Sequence, residues 1–114
     1  MNSNVIALAN STALLLDHKT GDVKPVEYDG ELDTLKSLLG VHLVDASMLD
    51  GKTIVFYDDE GADKNYTHGF TLKYGCVRVE FLGPGLLTGD IAGQNAPLDI
   101  DHGKVTIEYW KVRK

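Results

Sequence analysis

The segment "TALLLDHKTGDVKPVEYDGELDTLKSLLG" (residues 12–40) decides the fold, because it joins a β-hairpin to a helix. An apolar stretch at 14–16 and an alternating stretch at 23–28 flank the turn sequence "HKTGD", in which Gly21 can adopt the positive φ that a short loop needs. Pro25 has no backbone N–H to donate, so the second strand is expected at a sheet edge or with an irregular start.

The second half of this segment, "DGELDTLKSLLG", predicts a helix of about three turns at about 30–39. Asp29 is the expected N-cap, and Gly40 is expected to end the helix. Four leucines fall on one helical stripe, which we expect to pack on a sheet: Leu32, Leu35, Leu38 and Leu39.

The rest of the chain is rich in strand patterns. Runs of alternating or apolar residues occur in "VHLVDASML", "KTIVFYDDEG", "GFTLKYG", "CVRVEFLG", "GLLTGD" and "KVTIEYWKVRK". With the hairpin they predict an α+β fold: a small, mostly antiparallel sheet of six to eight strands with one leucine-striped helix. A length of 114 residues predicts a single domain over 1–114.

Composition narrows the class of protein. The net charge of −6 argues against generic nucleic-acid binding and against binding to an anionic membrane. No apolar run is long enough to span a bilayer, and the first basic residue is Lys19, so we expect a cytoplasmic protein without a signal peptide. Cys76 is the single cysteine, which excludes an intramolecular disulfide, and we expect it to be buried.

No catalytic motif is present. The sequence has no nucleophile elbow, Walker A sequence or dinucleotide-binding glycine pattern. The acidic run "YDDEGAD" (57–63) does not follow the ligand order of a calcium loop and is typical of a turn at a strand end. We therefore expect no catalytic residue, no metal and no cofactor, and a binding protein rather than an enzyme.

The stretch "DKNYTHGF" (63–70) is the best candidate for a binding site. Lys64 supplies charge, Asn65 both a donor and an acceptor, Tyr66 a stacking face, and His68 a donor or an acceptor. This mixture suits a small anionic nucleotide ligand. The alternative is a solvated loop of ordinary turn residues.

"FLGPGLLTGD" (81–90) places a Gly-Pro-Gly between two apolar runs. Pro84 cannot donate into a ladder, so this sequence is expected to end one strand and begin another. A backbone-cradled ligand at Gly83 and Gly85 is the second interpretation.

The hairpin, the helix, the strand ending in "DDEG", Asn65 and "FLGPGLLTG" follow one another in an order that resembles the phage- and plasmid-encoded domain of unknown function 3846. The resemblance covers residues 12–89. Departures are Val41 and His42 where the family often has Gly-Gly-Tyr after the helix, and two segments that do not match the family pattern: "YTHGFTLKYGCVRVE" (66–80) and the C-terminal strand from Lys104. The resemblance implies a viral or mobile-element origin, a bacterial host cell and a small non-enzymatic role.

Three functional hypotheses follow. The first is a phage-type binding protein, in its most specific form an anti-defence sponge that sequesters a nucleotide immune signal. The second is an acidic interaction protein that inhibits a host enzyme. The third is a small metal-dependent nucleotide hydrolase that uses Asp58, Asp59 or Glu60.

The C-terminal strand carries large apolar groups on both faces, including Trp110 and Val112 on one of them. A domain this small has little surface to cover both faces, so we expect a homo-oligomer. The alternative is that Trp110 packs under the N-terminal segment "VIALAN" of its own chain.

Overall fold

The computed structural model describes residues 11–50, 52–91, 94–96 and 105–112. In that part, nine strands, one α-helix and one 3₁₀ turn follow in this order: β1 (Ser11–Leu16), β2 (Val23–Tyr28), α1 (Leu32–Leu39), β3 (Val44–Met48), β4 (Thr53–Asp58), the 3₁₀ turn (Gly61–Asp63), β5 (His68–Tyr74), β6 (Val77–Leu82), β7 (Gly85–Ile91), β8 (Gln94–Ala96) and β9 (Val105–Lys111). The predicted α+β class, with mostly antiparallel strands and one helix, is confirmed. The additional strand is β8, whose three residues carry no strand pattern.

The strands form two sheets rather than the single sheet that was expected. The larger has the order β2-β1-β7-β4-β3, with β8 also paired to β7, and the smaller has the order β6-β5-β9. Every pairing among the described strands is antiparallel. Pro25 lies in β2, at the edge of the larger sheet, as predicted from its missing donor.

The layers stack in the order helix, larger sheet, smaller sheet. Strand β7 shows why: Leu86 and Leu87 are both fully buried, but in different cores. Leu86 packs with α1, in a cluster that includes Leu35, whereas Leu87 packs between the sheets, in a cluster that includes Phe70. A strand covered on both faces has no polar alternation, which explains the continuous apolar run in its sequence.

Helix α1 buries only part of its leucine stripe. Leu35 and Leu39 are buried and Leu38 packs beside them. Leu32, in contrast, is 55% exposed, so its predicted burial is wrong. It is the first residue of the helix, and the buried residues lie in the following turns.

The helix ends as predicted, but its start is built differently. Gly40 follows it with φ 69° and donates its backbone N–H to Lys36 O at 2.7 Å. The N-cap position is occupied by Glu31 rather than by Asp29. The Asp29 carboxylate lies just before it, where it accepts hydrogen bonds from Glu31 N and from the Thr34 hydroxyl, both at 2.9 Å.

Cys76 is exposed, so the expectation of a buried cysteine is wrong. Tyr74 pairs with Val77, which leaves Gly75 and Cys76 as the two-residue turn of the β5–β6 hairpin. Gly75 has φ 60°, the conformation that a tight hairpin turn requires. The apolar residues on either side of Cys76 belong to two different strands, and the sequence pattern alone did not separate them.

No helix in the described part of the chain could cross a membrane. The "VIALAN" segment, which was one of two candidates to cover Trp110, lies outside the described residues.

Candidate functional site

Asp58, the last residue of β4, is the centre of a buried polar network. Its side chain has no exposed surface. One oxygen, Oδ2, accepts hydrogen bonds from Lys64 Nζ at 2.8 Å and from the Tyr66 hydroxyl at 2.7 Å. The other oxygen, Oδ1, accepts from the backbone N–H of Glu60 at 2.9 Å. A buried carboxylate satisfied in this way ties the loop after β4 to the end of the strand.

The charge state of this network follows from its contacts. Burial raises the pKa of Asp58, but the hydrogen bonds from Lys64, Tyr66 and Glu60 N–H lower it by more, so the pKa lies below its ordinary value. Burial, followed by the hydrogen bond to the Asp58 carboxylate, raises the pKa of Tyr66 well above its ordinary value. At neutral pH the carboxylate is therefore ionised, and the tyrosine remains a hydrogen-bond donor.

The structure brings together Tyr66, His68 and Gly83 from the predicted site. Gly83 has φ 89° and donates its N–H to His68 O at 3.0 Å. A Cβ on Gly83 would lie 2.7 Å from the Tyr66 ring. The Tyr66 ring also makes an edge-to-face contact with the His18 ring, with the two centroids 5.0 Å apart. The space beside Gly83 is thus filled by the protein's own aromatic ring.

Lys64 also lies near Tyr66, with Nζ 5.9 Å from the ring centroid, whereas the other side chains of the predicted site make different contacts. Lys64 is paired with Asp58, and Asn65 is exposed. The His68 ring stacks on Tyr109 with centroids 5.0 Å apart. A Cβ on Gly85 would lie 2.6 Å from the Phe81 ring, so this glycine also makes room for a side chain. Five of the six predicted residues therefore take part in local contacts, Asn65 is exposed, and the one lysine among them is already paired with Asp58.

A cleft of about 340 Å³ lies on the other side of the Asp58 network. It is bounded by the end of β4, the 3₁₀ turn, the edge strand β6 and Trp110 of β9. Its lining includes three aromatic rings and three carboxylates: Tyr57, Phe81, Trp110, Asp58, Asp59 and Glu80. A volume of this size is within the range of small-molecule pockets.

Two glycines shape the cleft. Gly61, the first residue of the 3₁₀ turn, is buried, and a Cβ there would lie 2.8 Å from Leu82 O, so glycine lets the turn approach β6 closely. Gly69 lies under the indole of Trp110, where a Cβ would be 2.8 Å from Cη2. The ring is then fixed by a 2.8 Å hydrogen bond from Trp110 Nε1 to the Thr71 hydroxyl. Trp110 is thus held by its own sheet.

The aromatic wall on the β4 side is also fixed in place. The rings of Tyr57 and Phe81 stack with centroids 5.0 Å apart and planes 7° apart. The Tyr57 hydroxyl is 2.8 Å from the Ser47 hydroxyl on β3. Rings held at both ends require little reordering when a ligand binds, which lowers the entropic cost of binding.

The charges around the cleft are mostly paired. Lys64 pairs with Asp58, and Arg78 pairs with Glu80 at 3.0 Å. Asp59 is exposed, and its carboxylate makes no ion pair with a described cation in the structure. Among the residues that the structure describes, none that lines the cleft is a lysine, an arginine or a histidine.

The part of the chain that the structure describes contains no metal site of the kind that the hydrolase hypothesis requires. No group of three histidine, cysteine, aspartate or glutamate side chains is placed to hold a metal ion there. The Asp58 carboxylate already accepts three hydrogen bonds, which leaves it poorly placed to become a metal ligand.

Sequence reasoning missed the cleft because its residues come from three separate segments of the chain: 57–62, 80–82 and Trp110. Trp110 was noted for assembly, and Asp58 and Asp59 as turn acids, but Tyr57, Glu80 and Phe81 carried no signal of their own. Gly69, which lies directly before a strand-like run, was the available clue to a large ring lying against the backbone.

No protein family, curated protein or solved structure was found to match this chain. The resemblance to the domain of unknown function 3846 therefore stays a prediction.

Proposed function

We propose that this protein is a small binding module that captures a small aromatic ligand in the cleft between β4, the 3₁₀ turn, β6 and Trp110, without turning it over. The observation that carries the proposal is the prepared aromatic wall, in which Trp110 is hydrogen-bonded to Thr71 and the Tyr57 and Phe81 rings are stacked. Fixed apolar walls with a few polar groups at the rim are characteristic of small-molecule sites. The phage-type origin and a cytoplasmic location in a bacterial host form part of this proposal.

The sponge hypothesis supplies the first ligands to test. A nucleotide immune signal offers a base that could stack on the aromatic wall, although Lys64, the cation that was expected to hold its phosphates, is paired with Asp58. Cyclic dinucleotides and ADP-ribose derivatives should therefore be compared with the corresponding nucleosides. We expect the nucleosides to bind at least as well as the nucleotides, because the described part of the cleft lining contributes carboxylates and no cation.

Binding can be followed by the fluorescence of Trp110. Trp110 is its only tryptophan, so the emission excited at 295 nm reports directly on the cleft. We expect saturable quenching or a shift of this emission by ligands at up to millimolar concentration, together with a rise in melting temperature. Ala62→Leu should reduce binding by filling the cleft, and Ala46→Leu is the matched control, since Ala46 is equally exposed but lies on β3 outside the cleft lining.

The absence of any saturable response, with nucleosides, nucleotides and simple aromatic fragments alike, would contradict the proposal. Equal effects of Ala62→Leu and Ala46→Leu on a measured affinity would place the ligand outside the cleft.

A protein-binding role is the second candidate function. The observation that favours it is the exposure of large apolar side chains at the β3 edge, with Leu43 50% and Met48 44% exposed. A pull-down from bacterial lysate with wild type and with Leu43→Ser tests this role. A stoichiometric partner that is lost in the variant would favour it over the binding module.

A further inference from the structure

The charge and the rings of the cleft together indicate which class of ligand it suits. We infer that the cleft selects a small aromatic cation, such as an aryl-alkyl ammonium, with its ring on the aromatic wall and its positive group beside Asp59. This inference rests on the proposed function, because it specifies the ligand of the same cleft.

The first support is the chemistry of the lining. Three carboxylates and three aromatic rings line the cleft, and none of the described residues of the lining is basic. Aromatic faces attract cations through the ring quadrupole, and a carboxylate adds a direct ionic contact. A ligand that carries a phosphate or carboxylate group would instead meet like charge at the Asp59 carboxylate.

The second support is the distribution of the ion pairs. The carboxylates of Asp58 and Glu80 are each in contact with a cation of the chain, Lys64 and Arg78 respectively. Asp59 is the carboxylate of the lining for which the described residues offer no such partner. An ammonium group in the cleft would therefore pair with Asp59 without breaking an existing contact.

The third support is space. Ala62 contributes only a methyl group to the lining near Asp59, so the cleft stays open on the side of the 3₁₀ turn. A volume of about 340 Å³ accepts a one- or two-ring ligand with a short alkyl chain.

The test compares three probes that share a phenyl ring and differ in charge: 2-phenylethylammonium, 2-phenylethanol and 3-phenylpropionate. Titrations at pH 7 are followed by Trp110 emission. We expect the cation to bind about fivefold more tightly than the alcohol, and the anion to bind more weakly than both. The preference should shrink in 0.5 M NaCl, because the contact with Asp59 is exposed to solvent.

Two charge-matched variants locate the effect. Asp59→Asn should reduce the preference for the cation over the alcohol to about twofold or less, whereas Asp33→Asn should leave it unchanged. Both positions are exposed acids, but Asp33 lies on α1, on the opposite face of the larger sheet. Both variants remove one negative charge, so a general effect of net charge would change the preference for the cation by the same factor in both.

The outcomes separate this inference from the proposed function. Equal affinity for the cation and the alcohol, or an equal effect of the two variants, would overturn the inference and leave the aromatic cleft as a binding site. Failure of all three probes to bind at millimolar concentration would overturn both.

Discussion

Removing the hydroxyl group of Tyr66 tests the Asp58 network with a change of one atom. In Tyr66→Phe the ring still fills the space beside Gly83 and still contacts His18, so packing is kept. What is lost is the 2.7 Å hydrogen bond to a carboxylate with no exposed surface. Hydrogen bonds to charged groups contribute about 1.5–3 kcal/mol, and we expect a loss of that size in the free energy of unfolding.

The loss should be visible as a shift in the thermal midpoint. For a chain of 114 residues, 1 kcal/mol corresponds to about 4 °C, so the midpoint should fall by about 6–12 °C at pH 7. Urea melts of the same two proteins measure the free energy directly. Tyr74→Phe is the control, because no hydrogen bond from the Tyr74 side chain is present among the described contacts, and it should change stability by less than about 0.5 kcal/mol.

The pH dependence of the stability difference between wild type and Tyr66→Phe is a second test of the network. The pKa of Asp58 is lowered in the folded protein, so its contribution to stability is present above the unfolded pKa and is lost as pH falls through the folded one. Without the tyrosine hydroxyl the pKa of Asp58 is lowered less. The difference between wild type and Tyr66→Phe should therefore be greatest above about pH 5 and narrow as the pH falls below about 4. A difference below 0.5 kcal/mol at pH 7, or one that widens on acidification, would refute this account of the network.

Four further predictions follow from the packing. Leu35→Ala should cost about 2–5 kcal/mol in urea melts, whereas Leu32→Ala should cost less than about 0.5 kcal/mol because that side chain is 55% exposed; similar losses would contradict the helix orientation. Cys76 should react with Ellman's reagent in native buffer within minutes, and reaction only after unfolding would contradict its place in the β5–β6 turn. Gly83→Ala should cost about 2 kcal/mol or more because of its positive φ and the Tyr66 ring, against about 1 kcal/mol for Gly75→Ala, which has open space beside it; a reversed order would contradict the contact with Tyr66. Because we expect a homo-oligomer, light scattering at tens of micromolar protein should give a mass above the 12.5 kDa of one chain; a mass of 12.5 kDa would contradict this expectation.

The parts of the fold that are set by local sequence could be predicted. The β1–β2 hairpin follows from Gly21 and the flanking apolar runs, and the end of α1 follows from Gly40. The division into two sheets did not follow, because β7 and β5 are both buried runs, and nothing local says that β7 pairs with β1 and β4 or that β5 pairs with β9. Pairings such as β1 with β7 join residues about 70 positions apart and are decided by the complete core.

The site was less predictable than the fold, for a related reason. Lys64 and Tyr66 have the chemistry of ligand-binding residues, but the structure places a buried carboxylate, Asp58, within reach of both. A polar side chain near a buried charge satisfies that charge first, because leaving it unpaired costs several kcal/mol. The sequence shows that Lys64 and Tyr66 have the chemistry to bind a ligand, but it does not show that Asp58 lies close enough to pair with both of them.

The most direct test of the central claim is a ¹H–¹⁵N NMR titration of the protein with 2-phenylethylammonium. The indole N–H of Trp110 gives a single resonance, because the chain has one tryptophan. We predict saturable shifts of that resonance and of the backbone amides of Asp59, Gly61 and Leu82, which surround the cleft. Shifts confined to residues 64–68 and 83–85, or no shift of the indole at millimolar ligand, would contradict the assignment of the cleft as the binding site.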